Sequence, residues 1–196
     1  MNNRGSEWRR WDLHLHTKGT NKNDCFECAD MASFCKLLFK KAVEREIYAI
    51  GITDYFSIDR YKEVKAYQET ILTNPDFSDK EKAFINDILL LPNVELRMLP
   101  VTDRGKLVNI HCIFNPEYVG HLENDFFGSL SFKVAGQDFK MNEAGLIGLG
   151  KHYDANLDGK AAYKVGVEHF ITSHDRLQEL FENNTKLREN TLIVVS

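Results

Sequence analysis

A chain of 196 residues suits one domain, large for a single core. Its 43% hydrophobic and 28% charged residues are ordinary for a globular protein in water, and a formal net charge of −4 excludes a chain-wide attraction to nucleic acid or anionic membrane. The longest apolar runs, such as Ile88 to Leu91, are too short to cross a bilayer, and Met1 to Ser6 holds no apolar signal region, so a reducing cytoplasm and no membrane partner are expected.

Residues 1–7 read as a polar lead-in. Trp8 to Thr17 reads as a first strand, and its alternation places Asp12, His14 and His16 on one side, with Leu13 and Leu15 on the other. An acid and two imidazoles on one strand face are the beginning of a metal site; the plainer alternative is a half-buried strand with two hydrogen-bonded histidines. A polar loop from Lys18 to Asp24 follows. Met31, Phe34, Cys35, Leu38, Phe39, Ala42 and Val43 recur at three and four, which predicts an amphipathic helix. Tyr48 to Asp54 reads as a short buried strand with a polar end. Strand, helix and strand at this spacing point to a βαβ unit in a parallel sheet.

Phe56, Tyr61, Val64, Tyr67 and Ile71 predict a second helix after Ser57, broken at Asn74-Pro75. Ser78-Asp79-Lys80-Glu81 reads as a capping box, with Phe84, Ile85, Ile88 and Leu89 as the apolar stripe behind it and Pro92-Asn93 as the stop. Val94 to Leu99 reads as a third strand carrying Glu95, and Leu107 to Phe114 as a fourth carrying His111, with a turn at Asp103 to Lys106. Tyr118 to Phe127 and Asn142 to Tyr153 have helical character, Leu130 to Met141 suits a hairpin turning near Gly136, and Thr172, Ser173 and Asp175 offer caps for a helix through Leu177, Leu180 and Phe181. The β-branched run Thr191 to Ser196 predicts a buried strand. An interior strand with no helix to cover it leads to the expectation that these residues are the N-terminal part of a longer domain.

Cys25 and Cys28 form a C-x-x-C, with Cys35 and Cys112 elsewhere. No second ligand pair stands at zinc-knuckle spacing, and a polar loop precedes the pair where a thioredoxin-like motif needs a strand, so free thiols are expected.

Four successive strand ends each offer a ligand-type residue: His14 and His16 with Asp12, then Thr53-Asp54, then Glu95, then His111. In a barrel of β/α units such residues gather at one rim. These stretches, Asp12-Leu13-His14-Leu15-His16-Thr17, Gly51-Ile52-Thr53-Asp54, Asn93-Val94-Glu95 and Asn109-Ile110-His111, resemble the first motifs of the PHP (polymerase and histidinol phosphatase) superfamily. The wider wording Gly5-Ser6-Glu7-Trp8, Gly51 to Ser57 and Phe114-Asn115-Pro116-Glu117 resembles the N-terminal PHP region of TrlF-type bacterial ATPases, whose ATPase part is AAA- or SMC-like. The resemblance implies an α/β fold, a distorted (β/α)7 barrel incomplete at the C-terminus, with up to three metal ions at its rim. It implies that His14 and His16 hold one ion, that Glu95 bridges two, that His111 binds the second, and that Asp12 and Asp54 support the rim from behind.

Two departures from that pattern stand out. Tyr55 replaces the usual histidine after Thr53-Asp54, and a phenol is a poor ligand for a divalent ion at neutral pH, which weakens a third metal position. The late family ligands have no clear match, although His121, His152, His169 and His174 are available. Imidazoles around a shared carboxylate suit Mn²⁺, Zn²⁺ or Fe²⁺ better than Mg²⁺. The leading expectation is a metal-dependent phosphoesterase acting on phosphodiesters or phosphomonoesters, and the resemblance extends it to a nuclease coupled to an ATPase region in the same or another chain. No G-x-x-x-x-G-K-[ST] occurs here. The competing expectation is an inert PHP scaffold that binds a ligand or partner; a histidinol-phosphate-type phosphatase is the third.

Overall fold

The computed structural model describes residues 8–22 and 24–195. The polar lead-in 1–7, with its Gly5-Ser6-Glu7 wording, and Ser196 lie outside the described residues.

Strand β1 (Arg10–His16), helix α1 (Met31–Arg45) and strand β2 (Ile47–Tyr55) build the expected parallel βαβ unit. Helix α1 starts where the Asp30 side chain accepts from the Ser33 amide at 2.7 Å, satisfying one of the helix's orphan donors. It stops where Glu46 turns left-handed at φ 53°. Its apolar face (Phe34, Cys35, Leu38, Phe39, Ala42) is buried. Helices α2 (Asp59–Glu69) and α3 (Asp79–Asn86) carry the chain back to β3 (Leu89–Val101), again parallel to β2. The capping box forms as read: Glu81 donates its amide to Ser78 Oγ, and the Glu81 carboxylate accepts from the Ser78 amide.

The register of β3 corrects the sequence reading. Helix α3 ends at Asn86, and Leu89 through Pro92 belong to the strand, with Ile52 beside Pro92. Proline was read as a helix stop; it is held inside a strand by the apolar neighbours that bury it. Strand β4 (Leu107–Phe114) has the expected bounds but runs antiparallel to β3 as the second arm of a hairpin. His111 therefore lies directly across from Glu95 instead of ending a parallel strand.

Beyond Pro116 come a 3-10 turn (Pro116–His121) and a π turn (Glu123–Phe127) in place of one α-helix. The hairpin β5 (Ser131–Val134) and β6 (Gln137–Lys140) turns at Ala135-Gly136, both with positive φ (49° and 81°). Helix α4 (Glu143–Tyr153) forms despite its glycines, because Gly150 packs against the backbone of α5 (Gly159–His169): a Cβ there would stand 1.8 Å from the Ala162 carbonyl oxygen. The short β7 (Thr172–Ser173) leads into α6 (His174–Asn183), then α7 (Thr185–Glu189) and β8 (Thr191–Val195). Helices α5 and α7 are additions to the elements expected from the sequence.

These elements form a mixed α/β fold on one six-stranded sheet in the order β1-β2-β3-β4-β8, with β7 flanking β3 past the end of β2. Among the described residues the sheet is open, with β1 and β8 as its edges; of the distorted, C-terminally incomplete (β/α)7 barrel that the resemblance implies, the mixed α/β sheet with its helices is present and no closed barrel is. Strand β8 is antiparallel to β4 and largely exposed, not buried as its β-branched run suggested. No described helix is long and apolar enough to cross a membrane.

Candidate metal centre

The site begins with an irregularity in β1. Asp12 sits beside Ile50 and Leu15 beside Ile52, so Leu13 and His14 together oppose the single residue Gly51. This bulge breaks the simple alternation expected from the sequence, and Asp12 falls out of step with His16, which sits beside Thr53. Gly51 makes the bulge possible: a Cβ there would stand 2.2 Å from the Leu13 carbonyl oxygen. The extra residue re-aims His14 so that its Nε2 comes within 3.2 Å of His16 Nε2.

Glu95 completes a triangle. Its Oε2 is 3.2 Å from His16 Nε2 and 3.5 Å from His14 Nε2, and its side chain is 2% exposed against 46% for His14. Oε2 is buried with no hydrogen-bond partner. Three ligand atoms held at 3.2–3.5 Å match the edges of a coordination tetrahedron, about 3.3–3.4 Å for metal–ligand bonds near 2.1 Å. An uncompensated buried carboxylate oxygen facing two imidazole nitrogens fits a divalent cation well and a bare hydrogen-bonded network poorly. Among the described residues, His14, His16 and Glu95 are the one such cluster.

The surrounding contacts set the proton positions. The Thr20 hydroxyl donates to Asp54 Oδ1 at 2.9 Å, so its oxygen can accept only from the other side, where His16 Nδ1 lies at 3.4 Å. This relay places the proton of His16 on Nδ1 and leaves a lone pair on Nε2. Asp54 also accepts from the Asn21 and Tyr55 amides. Burial raises its carboxyl above the ordinary range, against those three hydrogen bonds. Asp54 thus ties the loop after β1 to the end of β2, behind His16. Asp12 accepts from the His14 amide at 3.3 Å and so touches the backbone that carries the imidazole, not the ring.

His111 is 3% exposed, and its ring centroid is 4.3 Å from that of His14. Burial and then the neighbouring His14 hold its pKa below the ordinary imidazole value, against the attraction of Glu95, so the ring is neutral at pH 7 as ligation requires. Burial alone would raise the Glu95 carboxyl; the close contact with the His16 ring outweighs it and holds the group below the ordinary carboxylate value, and any positive charge on His111, His16 or His14 lowers it further. Tyr55 stacks on His16 with centroids 5.3 Å apart. Burial, then the Glu95 charge, push its phenol up to about 12, so it stays protonated.

The structure therefore brings His14, His16, Glu95 and His111 to one place and sets Asp12 and Asp54 behind them. The later histidines stay away. His121 packs on Tyr118, His152 and His169 flank Tyr153, and His174 pairs with Asp175. All four cysteines are free thiols. Sequence reading missed Thr20 and Asn93. The signal for Asn93 was present, since it shares a strand face with Glu95, but Pro92 before it was read as a helix end.

No protein-family model matches the chain, and no curated protein does. One similar solved structure is a proposed metal-dependent phosphoesterase from Bifidobacterium adolescentis, at 11% sequence identity and a TM-score of 0.42. The match covers 95% of this chain and 66% of that one, so the chain spans just under two-thirds of its length.

Proposed function

We propose that this protein is a metal-dependent phosphoesterase whose divalent ions are held by His14, His16, Glu95 and His111. The observation that carries this reading is the triangle of two imidazole nitrogens and one orphaned, buried carboxylate oxygen at 3.2–3.5 Å. Divalent ions in such a site supply Lewis acidity toward a phosphoryl oxygen and lower the pKa of water. The chain's own groups do the rest. Glu95 sets negative charge at the centre; His111 is held toward its neutral form by burial; Thr20 and Asp54 orient the His16 ring; Asp12 braces the backbone at His14. Ligands of this chemistry favour Mn²⁺, Zn²⁺ or Fe²⁺, with room in the ligand set for two ions.

Metal analysis of purified protein, with hydrolysis of bis-p-nitrophenyl phosphate and p-nitrophenyl phosphate under added Mn²⁺, tests the reading. At least one ion per chain and hydrolysis of either ester support it. Less than one ion and no hydrolysis replace it with the second reading, an inert scaffold of PHP type. Tyr55 favours that alternative, because a phenol protonated up to about 12 stands where the resembled family has a metal-binding histidine. Support for a nuclease working with an ATPase region, and for nucleic acid as substrate, comes from the resemblance of the opening motifs alone. Cleavage of a single-stranded oligonucleotide by the Mn²⁺-loaded protein tests it.

A further inference from the structure

We infer that Asn93 is a positioning residue that locks both halves of the metal centre, the β1 bulge and His111, through one side-chain amide; this rests on the metal-centre reading above. Asn93 is 1% exposed. Its Nδ2 donates to the Leu13 carbonyl oxygen at 2.8 Å and to Thr53 Oγ1 at 2.9 Å, which uses both amide protons. Its Oδ1 is then left to face His111 Nδ1 at 3.2 Å. The opposite amide orientation would set two oxygens against each other at Leu13, so the network admits one arrangement. In that arrangement His111 carries its proton on Nδ1 and offers a lone pair at Nε2.

The second half of the lock is the Leu13–His14 peptide. Its carbonyl is held by Asn93 and its N–H by Asp12, so the plane that aims the His14 ring is gripped at both ends. A plain strand would bond the Leu13 carbonyl to its neighbour's backbone. A bulge disrupts that ladder locally, and the part-buried Leu13 carbonyl takes a side-chain donor. Asn93 supplies it from the third strand. The same residue therefore orients ligands from β1 and β4 and stands two positions before Glu95 on β3, joining all three strands that furnish the centre.

The test uses metal-free whole protein titrated with Co²⁺, and nitrogen-15 spectra of its histidines without metal. In the wild type, His111 shows the Nδ1-protonated tautomer. Asn93→Ala abolishes that preference and weakens Co²⁺ binding about 10–100-fold, the usual effect of removing a partner behind a ligand. Asn93→Asp keeps an acceptor for His111, so the tautomer returns. Its carboxylate opposes the Leu13 carbonyl, so affinity stays at least about threefold below wild type by the same criterion. Gln68→Leu is the control for general damage: Gln68 is buried and donates to the Ile85 and Ile88 carbonyls at 2.8 Å, outside the centre. It lowers stability and leaves Co²⁺ affinity unchanged. The inference is overturned if Asn93→Ala binds Co²⁺ within threefold of wild type, if its His111 tautomer is unchanged, or if Gln68→Leu loses as much affinity. A wild type that binds no Co²⁺ overturns the metal-centre reading itself, and the inference falls with it.

Discussion

Gly51→Ala adds one methyl group at the point where the whole site is bent into shape. The new Cβ would lie 2.2 Å from the Leu13 carbonyl oxygen, 2.7 Å from its carbon and 2.9 Å from the Leu13 Cα. A carbon and a carbonyl oxygen rest comfortably at about 3.3–3.6 Å, so β1 must withdraw by about 1 Å. All three close atoms are backbone, so no rotamer change relieves the clash. Withdrawal stretches the 2.8 Å bond from Asn93 to Leu13 past a useful length. Overpacking costs about 1–3 kcal/mol, and an unsatisfied buried carbonyl about 1–3 kcal/mol more. The sum, about 2–6 kcal/mol, is a large part of a domain's usual stability, and for a chain of this length lowers Tm by about 4–24 °C. His14 moves with Leu13, so metal affinity falls as well. Urea unfolding of metal-free protein and a Co²⁺ titration measure the two effects. A stability change below about 0.5 kcal/mol, the range of an ordinary surface substitution, together with unaltered affinity, would refute the role assigned to the bulge.

His14→Ala should lower metal content and abolish any phosphoesterase activity while leaving the unfolding midpoint of metal-free protein near wild type, because the side chain is half exposed; full occupancy with retained activity contradicts the ligand assignment. Cys25→Ser should change neither metal content nor hydrolysis, since Cys25 is an exposed free thiol outside the cluster; a large loss of metal in that variant would bring the C-x-x-C back as a ligand pair. Glu81 has its carboxyl held down to about 2 by the Lys40 side chain and then by the Ser78 hydroxyl and amide. A depressed carboxylate stabilises the fold above its unfolded value, 4.5, and that contribution drains away as pH falls toward 2. Glu81→Gln should therefore melt below wild type at pH 7 and converge with it near pH 2. A Tm difference that stays constant over that interval would show that the capping contact does not depend on charge.

Local order in the chain made much of this architecture readable. The three-and-four spacing of Phe34, Leu38, Phe39 and Ala42 specifies α1, and the Ser78 to Glu81 pattern starts α3, because both depend on contacts within a turn or two. His14, His16, Glu95 and His111 could be picked out because imidazoles and a carboxylate at strand ends are costly unless they do something together. Other features depend on partners distant in sequence. The antiparallel run of β4, the strand setting of Pro92, the open edge at β8 and the part played by Asn93 all follow from pairings made elsewhere in the sheet.

Composition and periodicity by themselves pointed to an α/β chain with a parallel opening unit and set ligand-type side chains at four strand ends, since those facts lie in side-chain chemistry and the period of a helix or strand; the resemblance of the opening motifs singled out His14, His16, Glu95 and His111 among them. Tertiary structure alone decided how they meet. A bulge seated on Gly51 moves Asp12 off the shared face and turns His14 toward His16, and an asparagine eighty residues away in sequence holds that bend. The physical reason is that a strand's alternation is a default, and a close backbone approach permitted by a missing Cβ, secured by one buried amide, is enough to override it.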